Sequence, residues 1–147
     1  MATNPILLVE DNPDDEELIL LALKDHKIAN DVTVVRDGVE ALDYLFASGK
    51  FAGRAQSAAP TLVLLDLKLP KLSGHDVLKR LRADPRTQAL PIVILTSSSE
   101  EKDIINSYHL GANSFVRKPI DFQEFHDVVK QLSVYWLLVN ETPDIRV

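Results

Sequence analysis

Five short apolar runs, separated by segments of helical periodicity, constrain this sequence more than any other feature. The runs are Ile6–Val9, Val32–Val35, Leu62–Leu65, Ile92–Leu95 and Ser114–Val116. They are rich in Leu and β-branched residues and show almost no polar alternation. A strand with one wet face alternates; a strand covered on both faces does not. Between the runs, apolar residues fall at helical spacing. One such segment spans about Asp14 to His26 and a second about Gly38 to Ala47, with Val39, Leu42, Leu45 and Phe46 on one stripe. A third carries Val77, Leu78 and Leu81, and a fourth Ile104, Ile105 and Tyr108. The fifth carries Phe122, Phe125, Val128, Val129 and Leu132. Pro13 suits the first turn of the first helix, Gly111 the end of the fourth, and Asp121 the N-cap of the fifth. Five strands alternating with five helices predict an α/β fold built on a parallel sheet.

The chain has 147 residues, enough for one domain with a real core. Its net charge is −6 and Lys and Arg form no cluster, which argues against a nucleic-acid partner. Without cysteine there are no disulfides, no thiolate chemistry and no Cys-based zinc site. The start "MATNP" lacks the basic and apolar regions of a signal peptide. The apolar runs fall far short of the roughly 18 residues that span a bilayer. A cytoplasmic protein without a membrane partner is expected. Residues Ser48 to Pro60 make a loop longer than most connections of this kind.

The first run leads straight into Glu10 and Asp11, with Asp14, Asp15, Glu16 and Glu17 close behind. In an open parallel α/β sheet, ligands bind beyond the carboxyl ends of the strands, where strand order reverses. The third run ends on Asp66. In the order 2-1-3-4-5, strands 1 and 3 flank that point, so three carboxylates converge. Each raises the cost of ionising the others unless a cation is present. A few hard oxygen ligands with room for water suit Mg²⁺. The fourth run ends on Thr96 and the fifth on Lys118 and Pro119. A cation, a hydroxyl and an ammonium make a site for a phosphoryl group. Asp66, at its centre, is the candidate to carry that group covalently. Catalysis at such a site is mostly positioning and charge neutralisation.

Glu10–Asp11, Asp66, Thr96 and Lys118–Pro119, each ending a strand, resemble the signature of response-regulator receiver domains of two-component signalling. The spacings of 55, 30 and 22 residues between Asp11, Asp66, Thr96 and Lys118 fit that family. So does "LDLKLPKLSG", with Pro70 and Gly74 in the expected places. The resemblance covers about residues 4 to 132. It implies a flavodoxin-like, doubly wound, five-stranded sheet with five helices. It implies Asp66 as phosphoacceptor, and Mg²⁺ held by Glu10, Asp11, Asp66 and the backbone carbonyl of Lys68. Thr96 and Lys118 then bind the phosphoryl oxygens, Phe115 takes the place of the switch aromatic, and the Lys118–Pro119 peptide is cis. The donor is a histidine kinase, and the protein is a signalling receiver, not an enzyme acting on external substrates. Its own reactions are Mg²⁺-dependent self-phosphorylation and autodephosphorylation.

A narrower resemblance, to regulators of bacterial and cyanobacterial phytochrome kinases, rests on "VEDNPDDEELILLAL", the loop before the third strand and the tail "YWLLVNETP". It implies a homodimer through the face of the fourth helix, fifth strand and fifth helix together with the C-terminal extension. Residues 1–133 are then the receiver and 134–147 the extension. Tyr135, Trp136, Leu137, Leu138 and Val139 either fold back on their own domain or bury against a second copy. "LILLAL", residues 18–23, is apolar right round its helix, for burial, for docking the kinase, or for both.

Each site residue alone has a bland reading: a loop-start acid, a turn aspartate, an N-capping threonine, a solvated lysine, a core phenylalanine. The acids from Asp14 to Glu17 suit a helix dipole. His26, His75, His109 and His126 share no metal spacing. Other functions compete as well. An aspartyl-phosphate enzyme on small phosphoesters wants an Asp-x-Asp pair after the first strand and a cap domain. Here Asp66 is followed by Leu67 and Lys68. A pseudo-receiver would lack a key residue, and none is missing. A phosphorelay shuttle, or a receiver for a non-phytochrome kinase, shares every residue.

Overall fold

The computed structural model describes residues 5–26, 31–54 and 59–143. The first four residues, part of the Ser48–Pro60 loop, the end of the extension and the His26 side chain lie outside the described residues. Five strands, β1 (Pro5–Val9), β2 (Asp31–Val35), β3 (Leu62–Leu65), β4 (Ile92–Thr96) and β5 (Ser114–Arg117), form one sheet in the order β2-β1-β3-β4-β5. Every pairing is parallel. The helices are α1 (Pro13–His26), α2 (Gly38–Leu45), α3 (Gly74–Ala83), α4 (Glu101–His109) and α5 (Phe122–Ser133). Strand residues point alternately to opposite faces, and both faces are covered. Leu7, Val9, Val63, Leu65, Ile92 and Ile94 pack with α2 and α3. Ile6, Leu8, Leu62, Leu64, Val93 and Leu95 pack with α1 and α5. This double burial is why the strands lack polar alternation.

The starts of α1, α2, α3 and α5 follow capping chemistry. Asn12 Oδ1 accepts the N–H groups of Asp14 and Asp15, Asp37 that of Glu40, Ser73 that of Asp76, and Asp121 that of Glu124. Of the "LILLAL" stretch, Ile19, Ala22 and Leu23 are buried, whereas Leu21 is exposed. The described part of the loop after α2 contains a 3₁₀ turn at Gly49–Phe51. The tail continues α5 without a break as a π-helical turn, Val134–Val139. Trp136 and Leu137 join the core beside Phe125 and Val129, while Tyr135, Leu138 and Val139 stay exposed. So Trp136 and Leu137 fold back on their own domain, and the other three residues do not. No described helix is long and apolar enough to cross a membrane.

Candidate functional site

Parallel register assembles the site. Val9 pairs with Val35 on one side and Leu65 on the other, so Glu10 and Asp66 leave neighbouring strands level with each other. Pairing extends past the strand ends: Glu10 N–H donates to the Val35 carbonyl at 3.0 Å and Asp66 N–H to the Val9 carbonyl at 3.1 Å. Across the sheet, Lys118 N–H donates to the Thr96 carbonyl at 2.7 Å. Oxygens of Glu10, Asp11 and Asp66 all lie within 4.8 Å of one another. Glu10 and Asp66 are buried and Asp11 is exposed. This donor set fits a hard divalent cation that keeps some of its waters.

Lys118 is the counterion of the cluster. Its Nζ donates to Glu10 Oε1 at 2.5 Å, Asp15 Oδ2 at 2.9 Å and Asp66 Oδ2 at 3.1 Å. Burial pushes the Glu10 carboxyl up to about 7; the Lys118 hydrogen bond opposes the rise and the nearby Asp66 charge adds to it. Burial also acts to lower the Lys118 pKa. The hydrogen bond to Glu10 and the charges of Asp66 and Glu10 outweigh it, and the ammonium is held above its ordinary value.

The remaining candidates occupy distinct places. Thr96 is fully buried, and its Oγ1 accepts the Ser98 N–H at 3.4 Å. Ser98 Oγ in turn donates to Asp103 at 2.5 Å, tying the loop after β4 to α4. Lys68 N–H reaches Asp66 Oδ1 at 3.5 Å, and the Lys68 side chain faces solvent. Gly74 supports this loop: a Cβ there would lie 2.2 Å from the Asp66 carbonyl oxygen, so only glycine fits. Phe115 pairs with Ile94 in the sheet and is half-buried against the core on the α2 and α3 side. The described residues contain no cis peptide, so Lys118–Pro119 is trans, contrary to the cis bond expected.

Asp15 is the site residue that sequence reasoning passed over. The helix-dipole reading suits Asp14 and Glu17, which are exposed. Asp15 instead turns to Lys118, and Glu16 forms a bidentate pair with Arg36 at 3.0 Å. The available signal was the Asn12 cap, which folds the first turn of α1 back towards the end of β1. Among the described residues no histidine joins the acidic cluster, and His75 meets Ser107 while His126 meets Asp25.

A half-buried carboxylate cluster with a lysine counterion, at the carboxyl edge of a 2-1-3-4-5 sheet, defines a class of phosphate-handling α/β domain. Residues 6–130 match the response regulator receiver domain, and the chain belongs to that family. Among curated relatives it is 38% identical to the probable methanogenesis regulatory protein FilR2 of Methanothrix harundinacea, over 94% of this chain and 86% of that one. It is 36% identical to the response regulator Rcp1 of Synechocystis, over 90% and 88% of the two chains. The phosphorylated cyanobacterial phytochrome response regulator RcpA superposes with a TM-score of 0.90 at 38% identity, covering 97% of this chain and 99% of that one. A Mn²⁺-bound form of Rcp1 gives a TM-score of 0.88 at 34% identity, over 95% and 99%. The bacteriophytochrome response regulator AtBRR is 49% identical, with a TM-score of 0.75 over 96% and 100%. The protein is thus a receiver-domain response regulator whose near relatives include phytochrome response regulators.

Proposed function

We propose that this receiver takes a phosphoryl group from a phytochrome-type histidine kinase onto Asp66, in the cytoplasm. The observation that carries the assignment is the meeting of Glu10, Asp11 and Asp66 within 4.8 Å beside Lys118. An Asp66 oxygen attacks the phosphorus of a phosphohistidine in line. The new O–P bond forms as the N–P bond breaks, and the imidazole leaves with the electron pair and takes up a proton. Glu10, Asp11, Asp66 and the Lys68 carbonyl are the residues that would hold Mg²⁺. When bound, the ion neutralises the carboxylates and the incoming phosphoryl oxygens. Lys118 supplies an N–H to a phosphoryl oxygen, and the Thr96 hydroxyl supplies a second donor. Recruiting Thr96 draws on the loop that Ser98 links to α4, and Phe115 on the neighbouring strand β5 changes packing. The phosphoryl group thereby biases the α4-β5-α5 face. Exposed Leu21 on α1 suits contact with the kinase's helical bundle.

Residues 1–133 act as the receiver and 134–147 as the extension, with homodimerisation through α4-β5-α5 and the exposed Tyr135, Leu138 and Val139. The likeness to RcpA and AtBRR supports the phytochrome partner. FilR2 favours one alternative, a kinase of another sensory class, and phosphotransfer from a panel of purified kinases separates the two. The decisive test of the chemistry is labelling by acetyl phosphate, an anionic phosphoryl donor that also probes self-phosphorylation. The wild type should gain one phosphoryl group that is lost again by autodephosphorylation. Asp66→Asn, or chelation of Mg²⁺, should abolish labelling. Persistent labelling of Asp66→Asn rules the assignment out.

A further inference from the structure

An alkylammonium has three N–H donors. Lys118 commits them to Glu10, Asp15 and Asp66, at 2.5, 2.9 and 3.1 Å. The three acceptors are not equivalent. Glu10 and Asp66 belong to the trio of carboxylates that could hold a cation; Asp15 does not. It comes from the first turn of α1, and its place there is set by the chain just before it. Asn12 Oδ1 accepts the Asp15 N–H at 3.1 Å, and the Asn12 N–H donates to Glu10 Oε2 at 3.2 Å. One six-residue stretch, from Glu10 to Asp15, therefore presents two acceptors to Lys118 in a fixed relation.

We propose that Asp15 is a positioning residue for phosphoryl transfer. Together with Glu10 it holds two of the three Lys118 N–H groups, so that the third stays directed at Asp66 and at the phosphoryl group Asp66 receives. The inference rests on the reading of Asp66 as phosphoacceptor. A lysine side chain has many rotamers, and a single acceptor leaves its ammonium free to swing. A second acceptor removes that freedom before the reaction begins, which is where orientation lowers a barrier. The Asp15 side chain is 27% exposed, so without it this N–H of Lys118 turns to water.

Charge alone predicts the opposite sign. Deleting an anion near the site should speed attack on an anionic donor. Two variants separate the effects. Asp15→Ala removes both charge and acceptor, whereas Asp15→Asn removes the charge and keeps an acceptor oxygen of the same reach. The experiment is the rate of Asp66 labelling by acetyl phosphate at saturating Mg²⁺, followed by intact mass, with Tm measured in parallel. Asp15→Ala should label about tenfold more slowly, and Asp15→Asn within about threefold of wild type. Asp15→Ser, too short to reach Lys118, replaces the alanine variant if that one does not fold, and should be equally slow. Equal rates for the asparagine and alanine variants overturn the proposal, and faster labelling in both overturns it in favour of a charge effect. A lower Tm with an unchanged rate overturns it in favour of a purely structural role. If wild-type protein is not labelled at Asp66, the phosphoacceptor reading fails first, and this inference with it.

Discussion

Glu10 carries the electrostatic tension of the site. It is 1% exposed, bonded to Lys118, and its carboxyl is nonetheless pushed up to about 7 by burial. In the metal-free protein the folded site binds this proton more tightly than the unfolded chain does, where the ordinary value is 4.5. This group's contribution to stability therefore falls as pH rises from 4.5 to about 7, and stays low above that. A cation needs Glu10 ionised, so binding releases its proton below about pH 7. Calorimetric Mg²⁺ titrations should show affinity falling by up to about tenfold per pH unit below 7, with proton release that depends on buffer ionisation heat. Glu10→Gln should abolish that pH dependence. Identical Mg²⁺ affinity at pH 5.5 and 7.5 in the wild type would contradict the account.

At the scale of elements, the end of α2 shows where local sequence and backbone disagree. Ser48 N–H donates to the Asp43 carbonyl at 2.8 Å and Ala47 N–H to the Tyr44 carbonyl at 3.3 Å, which is the Schellman pattern. That pattern places Ala47 in the left-handed region, at φ 52°. Glycine takes this conformation without the Cβ penalty of roughly 1 kcal/mol. Ala47→Gly should raise stability by about 1 kcal/mol less the extra unfolded-state entropy of glycine, a rise in Tm of about 1–3 °C. A lower Tm would contradict it. The same turn explains why the helical spacing that ran to Ala47 overshoots: α2 stops at Leu45, and the chain reverses within two residues.

For the whole molecule, the exposed part of the tail bears on assembly. The tail anchors itself through Trp136 and Leu137 and leaves Tyr135, Leu138 and Val139 facing outward at 51%, 62% and 62% exposure. Aromatic and aliphatic groups so exposed fit the centre of an interface between copies. Sedimentation velocity with Mg²⁺ should show a dimer whose population changes on adding beryllofluoride, and only when Asp66 is intact. Leu138→Asp should shift the protein to monomer with a nearly unchanged Tm, because the side chain lies outside the core. Equal dimer populations for this variant and the wild type would place the interface elsewhere.

The sequence by itself was sufficient for the parallel sheet and for candidate residues at its strand ends, and the family resemblance supplied the strand order. Strands covered on both faces are written in unbroken apolar runs, and in a parallel α/β sheet every strand ends on the same edge. Glu10, Asp66, Thr96 and Lys118 were legible because each ends a run. Tertiary structure alone decided what depends on direction and distance. It turned Asp15, but not Asp14 or Glu17, towards Lys118, because the cap at Asn12 fixes where the first turn of α1 points. It made Lys118 the counterion of three carboxylates in the resting site, and it set the Lys118–Pro119 peptide as trans. It also divided the apolar tail residue by residue, since a π-helical turn distributes side chains by an angle that composition does not encode.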